Sequence, residues 1–427
     1  MGYLRGAAAV VVLAMMINRI PGFFQVDYKV PAVVGSVAPG WEHVRDVYRN
    51  LFEEDDDRGG SLCVYHKGKP VVDLRGGFAN EKELWPWQEN TITRLFSTSK
   101  GLGGIVMGVL VDRGFMKYED QVVKYWPEFG AHGKENVTVE MLLSHQTGLV
   151  DMTDESFSFW DEVNDVEKLG RMLAAEKPLW EIGSGVGYHG VTIGLYMDQL
   201  VRRVDPKRRS LPQFFQEEIA GPFQLDLQFA LKDSDVYRTA TYTNLPVKLK
   251  YLPKMISLLA RMFVYPKIFS DGVDYVKVAE KFDDKSFAPI WIRLRPDVNK
   301  LWNPSGFAYG NAKSLAKLFG IAANGGSFEG KKLMSPAMVN LQAEEVKSGY
   351  DKCLKTNMAY GRGYSILYSP KGSPMFGTPG LGGQIGYADP RFKLGIGFVS
   401  NYLSATGIKD HRYVQLEQAI YDSLDIL

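Results

Sequence analysis

Four consecutive residues, Ser97-Thr98-Ser99-Lys100, carry the clearest signal for chemistry in this sequence. They stand between a short apolar run and a long apolar, glycine-rich segment that predicts a helix. Residues three apart lie on one face of a helix, so the Lys100 amine would reach the Ser97 hydroxyl. The helix N-terminus would also favour negative charge that develops nearby. The spacing predicts a serine nucleophile made without histidine; the simpler alternative is that Ser97 caps the helix.

A second candidate is the stretch Gly185-Val186-Gly187-Tyr188-His189-Gly190, just before a predicted helix over 191–204. It matches the Gly-x-Gly-x-x-Gly dinucleotide fingerprint, but that fingerprint needs a preceding buried strand and an acidic residue about 20 positions later. A short run with Trp and Glu precedes it here, so we expect no nucleotide site. The glycines would instead shape a loop that presents Tyr188, whose phenol can act as acid or base if a nearby lysine lowers its pKa. Core packing of Tyr188 is the alternative.

The third candidate is the glycine-rich stretch over 376–384, which opens a predicted strand. Small residues allow an edge strand to approach a substrate closely, and an outward N–H there can form half of an oxyanion hole. Turn chemistry alone would also explain the glycines.

Composition and charge exclude several classes of function. The 427 residues suffice for one large domain or two modest ones, and the net charge of +1 gives no reason to expect a nucleic-acid partner. The six histidines form no metal-binding cluster, so we expect no catalytic metal and no cofactor. The two cysteines, Cys63 and Cys353, are too few for a zinc site or a disulfide scaffold, and their spacing leaves open whether they pair.

The N-terminal segment differs from the rest of the chain. Residues 1–24 contain two arginines, no acidic residue and an apolar block over 6–17. That block is short for a membrane span, which needs about 20 residues, and suits the core of a signal sequence. Three interpretations of this segment remain open: an uncleaved signal-anchor, a cleaved signal, or an organellar transit segment. We expect residues 1–26 to associate the protein with a membrane, with the secretory pathway favoured over the mitochondrion.

Apolar periodicity and turn residues predict the fold class. Helices are expected over 41–52, 98–113, 138–148, 191–204 and 411–424, a hairpin over 61–74, and strands over 363–368, 382–387 and 394–399. This order predicts an α/β fold of the α+β sandwich type, with an antiparallel sheet built from both chain ends, flanked by helices, and a mainly helical subdomain inserted between them. A basic amphipathic helix over 249–264 is expected to pack on its own domain, with a membrane surface as the alternative.

The three candidate stretches, in this order, resemble the serine β-lactamase and penicillin-binding protein superfamily, most closely its class C and esterase branch. That family shows Ser-x-x-Lys, then Tyr-x-Asn or Tyr-His, then Lys-Thr-Gly or His-x-Gly near the C-terminus. Residues 141–149, 202–206, 311–326 and 377–390 are similar to it as well. The resemblance implies a β-lactamase-like domain over 41–427 with an atypical insertion around 245–300.

The resemblance also implies roles for single residues. Ser97 would be the acylated nucleophile, and Lys100 and Tyr188 would share the proton transfers. The N–H groups of Ser97 and Leu381 would form the oxyanion hole. The implied oxyanion and substrate-binding positions are Leu381, Gly380, Thr378 and His189. The reaction would be acyl transfer to serine, followed by hydrolysis of the acyl-enzyme.

Two departures from the family pattern bear on the substrate. Gly190 stands where an asparagine is usual, which removes an amide that would hold the substrate or Lys100. Thr378 stands where the third motif has lysine or histidine, so the cation expected near a substrate carboxylate is lost. This argues against acidic, antibiotic-like substrates.

Two functions follow from these residues. The first is a serine hydrolase, an esterase or peptidase acting on a small-molecule, peptide or lipid acyl substrate. The second is a catalytically weak or inactive relative used as a scaffold or self-assembling structural protein. The intact set of Ser97, Lys100 and Tyr188 supports the first, and Thr378 supports the second. No Gly-x-Ser-x-Gly elbow competes with Ser97, and His145, beside Ser144, is expected to be structural.

Overall fold

The computed structural model describes residues 30–54, 57–154, 157, 165–244, 300–404 and 410–426. The predicted signal segment over 1–26 and the predicted basic helix over 249–264 lie outside these residues, as does nearly all of the insertion expected around 245–300. These three features stay predictions. Within the described ranges, no helix is both long enough and apolar enough to cross a bilayer.

A large antiparallel sheet forms the centre of the fold. Numbered in chain order, the strands are β1 (Val34–Val37), β2 (Gly59–His66), β3 (Lys69–Asn80), β4 (Trp85–Pro86), β5 (Thr93–Arg94), β6 (Leu227–Phe229), β7 (Thr243–Asn244), β8 (Ala308–Gly310), β9 (Ser327–Phe328), β10 (Lys331–Lys332), β11 (Lys347–Tyr350), β12 (Asn357–Tyr360), β13 (Ser365–Tyr368), β14 (Pro374–Gly377), β15 (Ile385–Asp389), β16 (Leu394–Ser400) and β17 (Tyr402–Leu403). The main sheet runs β1-β3-β2-β16-β15-β14-β13-β12-β11, with β4 paired to β3. Smaller sheets are β5-β8-β6, the parallel pair β17-β7, and β10-β9.

The pairing of β2 with β16 joins the two ends of the chain. Its register runs from Gly60 opposite Ser400 to His66 opposite Leu394. The predicted hairpin is present as β2 and β3, joined at a turn where Gly68 has a φ of 78°. A sheet built from both chain ends was therefore predicted correctly.

Helices cover both faces of the sheet. They are α1 (Glu42–Glu53), α2 (Thr98–Asp112), α3 (Val139–Leu143), α4 (Val166–Ala175), α5 (Thr192–Val204), α6 (Leu211–Phe215), α7 (Ala312–Ala323), α8 (Pro336–Gln342) and α9 (His411–Ser423). Side chains alternate along β2, so Leu62 and Val64 pack with α1 and α9, whereas Cys63 and Tyr65 join the core of α2 and α7. Helices α3 to α6 extend that second core between the two sheet-forming ends. The predicted fold class is confirmed.

Helix α7 lies unusually close to β16 because glycines face it. A Cβ atom at Gly395 would come within 2.1 Å of the Gly320 nitrogen, and one at Gly397 within 2.2 Å of the Ala312 oxygen. Only glycine leaves room for this approach of backbone to backbone.

Helix α2 is the central helix of the molecule. Every residue from Thr98 to Leu110 is buried. Its glycines admit neighbouring side chains, as expected from the sequence: a Cβ at Gly103 would come within 2.9 Å of Met197 Sδ, and one at Gly104 within 2.7 Å of the Tyr364 ring. This close packing therefore fixes the position of the first turn of α2 in the core.

Two predicted boundaries differ from the structure. Strand β15 begins at Ile385, three residues after the predicted start at 382. The difference arises because the Gly380 N–H donates to the Gln384 oxygen at 2.8 Å and closes a turn before the strand. The predicted helix over 138–148 is the shorter α3, capped by the Thr138 hydroxyl at its start. It ends because His145 takes a φ of 62°, outside the helical region.

Candidate active site

Ser97 lies at the point where the chain enters α2. The preceding residue, Phe96, has a φ of 46°, so the backbone turns sharply before the helix. The Ser97 side chain makes no capping hydrogen bond to α2, and the capping alternative is therefore wrong. Its Oγ instead lies 2.8 Å from Tyr188 Oη, which donates to it, and 3.2 Å from Lys100 Nζ.

Lys100 is held by main-chain oxygens. Its Nζ donates to the carbonyl of Gly190 at 2.6 Å and to that of Ser305 at 2.7 Å. The side chain is 2% exposed, and this burial holds the pKa of the amine well below its ordinary value. The Gly190 carbonyl thus supplies a contact that the missing asparagine amide was expected to make.

Ser305 was not identified from the sequence. It reaches Lys100 through its main-chain oxygen, a group that every residue type carries, so its residue type does not reveal this role. Its side chain fixes the carbonyl in place: Oγ donates to the Val191 oxygen at 2.6 Å and accepts from the Gly194 N–H at 2.8 Å. Asn303 Oδ1 accepts from the Ser305 N–H at 2.8 Å. The signal available was the polar turn Asn303-Pro304-Ser305-Gly306.

Tyr188 is brought to the nucleophile as expected, but its electrostatics differ from expectation. Lys100 Nζ lies 4.8 Å from the centre of its ring. Burial raises the pKa of the phenol above its ordinary value, against the smaller lowering effect of the hydrogen bond with Ser97. The lowering expected from the lysine does not prevail, because burial has the larger effect on the pKa of the phenol.

His189 does not line the cavity next to Ser97, contrary to its expected substrate-binding role. Its side chain is fully buried. Nδ1 lies 2.7 Å from the Gly187 oxygen, and Nε2 accepts from the Leu149 N–H at 3.1 Å. Successive residues of an extended loop point to opposite sides, so exposing Tyr188 to the cavity buries its neighbour. His189 supports the loop from behind.

His145 also packs behind the loop that carries Tyr188, as expected for a structural residue. Its Nδ1 accepts from the main-chain N–H of His189 at 3.1 Å, and its ring centre lies 5.4 Å from that of Tyr188. Burial lowers the pKa of both imidazoles, that of His189 to about 3. Both rings are therefore neutral and packed beneath the tyrosine.

The turn over 380–384 carries the predicted oxyanion-hole residue. A Cβ at Gly380 would come within 2.4 Å of the Leu95 oxygen, so glycine is required where the turn meets the start of α2. Ser97 and Leu381 line one cavity. Within the described residues, no acceptor is bonded to the main-chain N–H of Ser97 or of Leu381. Both N–H groups are therefore available to a ligand.

The cavity has a volume of about 170 Å³ and a mostly apolar wall. Besides Ser97 and Tyr188 it is lined by Leu354, Met358, Ser365, Thr378, Pro379, Gly380, Leu381 and Gly382, and no charged side chain is among these described residues. Thr378 is 3% exposed, and its Oγ1 is buried with no hydrogen-bond partner in the described part of the chain. The threonine therefore presents carbon, and no cation, to the cavity.

Asp351 is a second residue that the sequence did not reveal. One carboxylate oxygen accepts from the N–H groups of Cys353 and Leu354, at 2.8 and 2.6 Å, and the other accepts from Tyr360 Oη at 2.7 Å. This loop also bridges to Val186, in the loop that carries Tyr188. Asp351 thereby fixes the wall formed by Leu354. Cys353 beside it is a buried free thiol, as is Cys63.

No group of His, Cys, Asp and Glu in the described ranges is arranged to hold a metal ion. The stretch before Tyr188 contains no strand, so the context of a dinucleotide site is missing from this described segment.

Comparison with known proteins gives the family. The Beta-lactamase family model matches residues 45–419. This chain belongs to the Beta-lactamase family. The matched region contains Ser97, Lys100 and Tyr188, and the resemblance seen in the sequence is confirmed.

Relatives within the Beta-lactamase family include esterases. The esterase/beta-lactamase LipL of Mycobacterium tuberculosis is 29% identical over 384 residues, which cover 89% of this chain and 85% of that protein. A penicillin-binding protein homologue from Caulobacter crescentus is 31% identical with a TM-score of 0.79, covering 92% of this chain and 99% of that one. A family VIII carboxylesterase is 30% identical with a TM-score of 0.76 and the same coverage, 92% and 99%. The prediction of a serine hydrolase of this fold is confirmed.

Proposed function

We propose that this protein is a carboxylesterase that hydrolyses small, uncharged esters through an acyl-enzyme on Ser97. The observation that carries the proposal is the position of Ser97 Oγ. It lies between Tyr188 Oη and Lys100 Nζ, at 2.8 and 3.2 Å, in a cavity without a charged side chain in its described lining.

Lys100 is the base in this proposal. A neutral amine has two N–H groups and one lone pair. The carbonyls of Gly190 and Ser305 accept the two N–H groups, which leaves the lone pair for the Ser97 hydroxyl. Burial lowers the pKa of Lys100, so the neutral form that can act as a base is reached at a lower pH than for an exposed lysine.

Acylation then uses both neighbours of the serine. Lys100 takes the Ser97 proton while Oγ bonds to the ester carbon, and the N–H groups of Ser97 and Leu381 stabilise the oxyanion. Tyr188, whose raised pKa keeps it protonated, donates its proton to the departing alkoxide.

Deacylation reverses these transfers. The Tyr188 phenolate takes a proton from water, and the resulting hydroxide attacks the acyl carbon. Ser97 Oγ leaves and takes back the proton held by Lys100. The products are the acid and the alcohol, and every group returns to its starting state.

The apolar cavity wall supports an uncharged substrate. Carboxylate recognition needs a cation or a set of donors, and Thr378 buries its hydroxyl out of reach. Leu354, Met358 and Pro379 instead offer carbon surface to an acyl chain or an alcohol group. Two similar proteins, named as an esterase/beta-lactamase and a carboxylesterase, support an ester as the substrate. Peptide amides and long lipid esters are the alternatives that a substrate series would separate.

Labelling and turnover test the proposal together. The protein is exposed to a fluorophosphonate and analysed by mass spectrometry, with Ser97→Ala as control, and hydrolysis of p-nitrophenyl acetate is compared with that of nitrocefin. We expect an adduct on Ser97 that the variant lacks, and turnover of the ester well above that of the β-lactam. A folded protein that gives neither adduct nor turnover would contradict the proposal and favour the scaffold function instead.

Membrane association through residues 1–26 is a separate proposal that rests on sequence alone. Expressing the full chain and a chain without these residues, followed by membrane flotation, tests it. We expect only the full chain to float with vesicles, and equal distribution of both would contradict the proposal.

A further inference from the structure

Arg412, in the first turn of α9, lies at the centre of a buried cluster of charges. Its side chain is fully buried, and it pairs with Asp57 at 3.1 Å and with Asp410 at 2.9 Å, both of them buried as well. Its Nη1 also donates to Ser400 Oγ at 3.0 Å and to the Tyr402 oxygen at 2.8 Å. The cluster therefore connects the segment before β2, the end of β16 and the start of α9.

One donor of this cluster reaches the active site. Arg412 Nη2 donates to the carbonyl of Gly382 at 2.6 Å. Gly382 directly follows Leu381, and both residues line the same cavity as Ser97. The turn lies directly on the cluster, since a Cβ at Gly383 would come within 2.6 Å of Arg412 Nη2 and of Asp410 Oδ2.

Other contacts hold the two ends of the turn, and its middle is held by Arg412 together with a β-bridge between Gly382 and Ser404. At the start, Gly380 packs against the Leu95 oxygen at the entrance to α2. At the end, the Gln384 side chain donates to the Ser400 oxygen at 2.6 Å and accepts from the Ser400 N–H at 3.1 Å. Within the described residues, the Gly382 carbonyl is fixed by the guanidinium.

We propose that Arg412 is a positioning residue for the oxyanion hole. By fixing the Gly382 carbonyl it sets the path of the turn and hence the direction of the Leu381 N–H. Arg412 does not line the cavity, so it acts through the backbone. The inference rests on the proposed function, because it needs the Leu381 N–H to bind the oxyanion. A displacement of about 1 Å in such a donor can lower the rate about 100-fold.

Arg209 provides a matched control. It is 9% exposed and pairs with Asp205 at 2.9 Å, Glu217 at 2.8 Å and Glu218 at 2.7 Å, in a charge cluster that does not contact the turn. The variants Arg412→Met, Arg412→Lys and Arg209→Met are compared with the natural protein. Fluorophosphonate labelling, taken to completion, counts the intact sites, so that the kcat for p-nitrophenyl acetate is expressed per site. Inhibition by a phenylboronic acid, which forms a tetrahedral adduct on the serine, reports on the oxyanion hole.

We expect Arg412→Met to lower the per-site kcat about 10- to 100-fold, with a parallel loss of boronate affinity and a nearly constant KM. Arg412→Lys should fall between it and the natural protein, and it decides the question if the methionine variant does not fold. Arg209→Met should lower Tm but leave the per-site kcat within about 2-fold. Full per-site activity and boronate affinity in the Arg412 variants would overturn this inference alone. An unlabelled natural protein would overturn the proposed function and, with it, this inference.

Discussion

Lys100 Nζ lies 2.6 Å from the main-chain oxygen of Gly190, at the position where the family pattern places an asparagine. A backbone carbonyl therefore holds the lysine where an amide side chain was expected to do so. With the Ser305 carbonyl on its other side, Lys100 is oriented by main-chain atoms. Loss of the asparagine leaves the nucleophile and its base in contact.

Replacing Lys100 by methionine should remove the base and little else. We expect kcat for p-nitrophenyl acetate to fall about 100-fold or more, because a positioned general base contributes about 10²–10⁴-fold. Lys134 offers a matched control: it is also fully buried and donates to two carbonyls, those of Ala174 and Glu176. Lys134→Met should lower Tm and leave kcat near its natural value. Equal kcat losses in the two variants would contradict a specific role for Lys100.

The pH dependence of activity should report the neutral form of Lys100. Because burial lowers the pKa of the amine, kcat/KM should rise with pH and level off below the ordinary lysine pKa of 10.5. Tyr188→Phe should lower kcat but keep the position of this rise, since the phenol stays protonated over that range. Rates of p-nitrophenyl acetate hydrolysis, measured in stopped assays across the pH range, provide the pH profile of kcat/KM. Loss of the rise in Tyr188→Phe would make the tyrosine the base.

Acid should destabilise the protein through His189. The unfolded imidazole takes up a proton near pH 6.5, whereas the folded one resists until about pH 3. Its contribution to stability is complete above about pH 6.5 and is lost as the pH falls. At about pH 4.5 this loss amounts to about 2–3 kcal/mol in the free energy of unfolding, from the two pKa units involved.

Urea unfolding at about pH 7.5 and about pH 4.5 measures that loss. His189→Gln should be less stable at the higher pH but show a smaller difference between the two. The exposed His132 serves as control, and His132→Asn should keep the natural difference. An unchanged difference in His189→Gln would show that another group causes the acid sensitivity.

Thr378 should be replaceable by valine without loss of activity. The Thr378 hydroxyl is buried without a partner in the described residues, so its removal relieves a desolvation cost and leaves the carbon surface of the cavity. We expect kcat/KM for p-nitrophenyl acetate to stay within about 2-fold and the free energy of unfolding to be unchanged or higher. A loss of 10-fold or more would show that the hydroxyl contacts the substrate.

The sequence predicted the parts of the site that depend on local spacing. Ser97 and Lys100 are one helical turn apart, so their contact followed from helix geometry alone. The hairpin of β2 and β3 likewise followed from its turn and its alternation. Tyr188 was found because a glycine-rich loop marks it.

The remaining parts depend on long-range contacts that residue types do not encode. Ser305 serves through its carbonyl and lies 205 positions from Lys100. His189 was assigned to the substrate because it neighbours Tyr188, although the chain turns it to the opposite side. The start of β15 was placed early because the turn over 380–384 shares its glycine-rich composition with an edge strand.

The pairing of Gly60 with Ser400 and of His66 with Leu394 has a consequence for synthesis. Strand β16, which pairs with β2 in the middle of the sheet, is synthesised after nearly all of the chain. Strands β2 and β3 therefore remain without this partner until late in translation. Contacts of such large sequence separation slow folding and leave strand edges open in the meantime. A protein shortened by its last few dozen residues would lose β16 and with it the centre of the sheet, and we expect such a product to be degraded rather than to persist as a smaller enzyme.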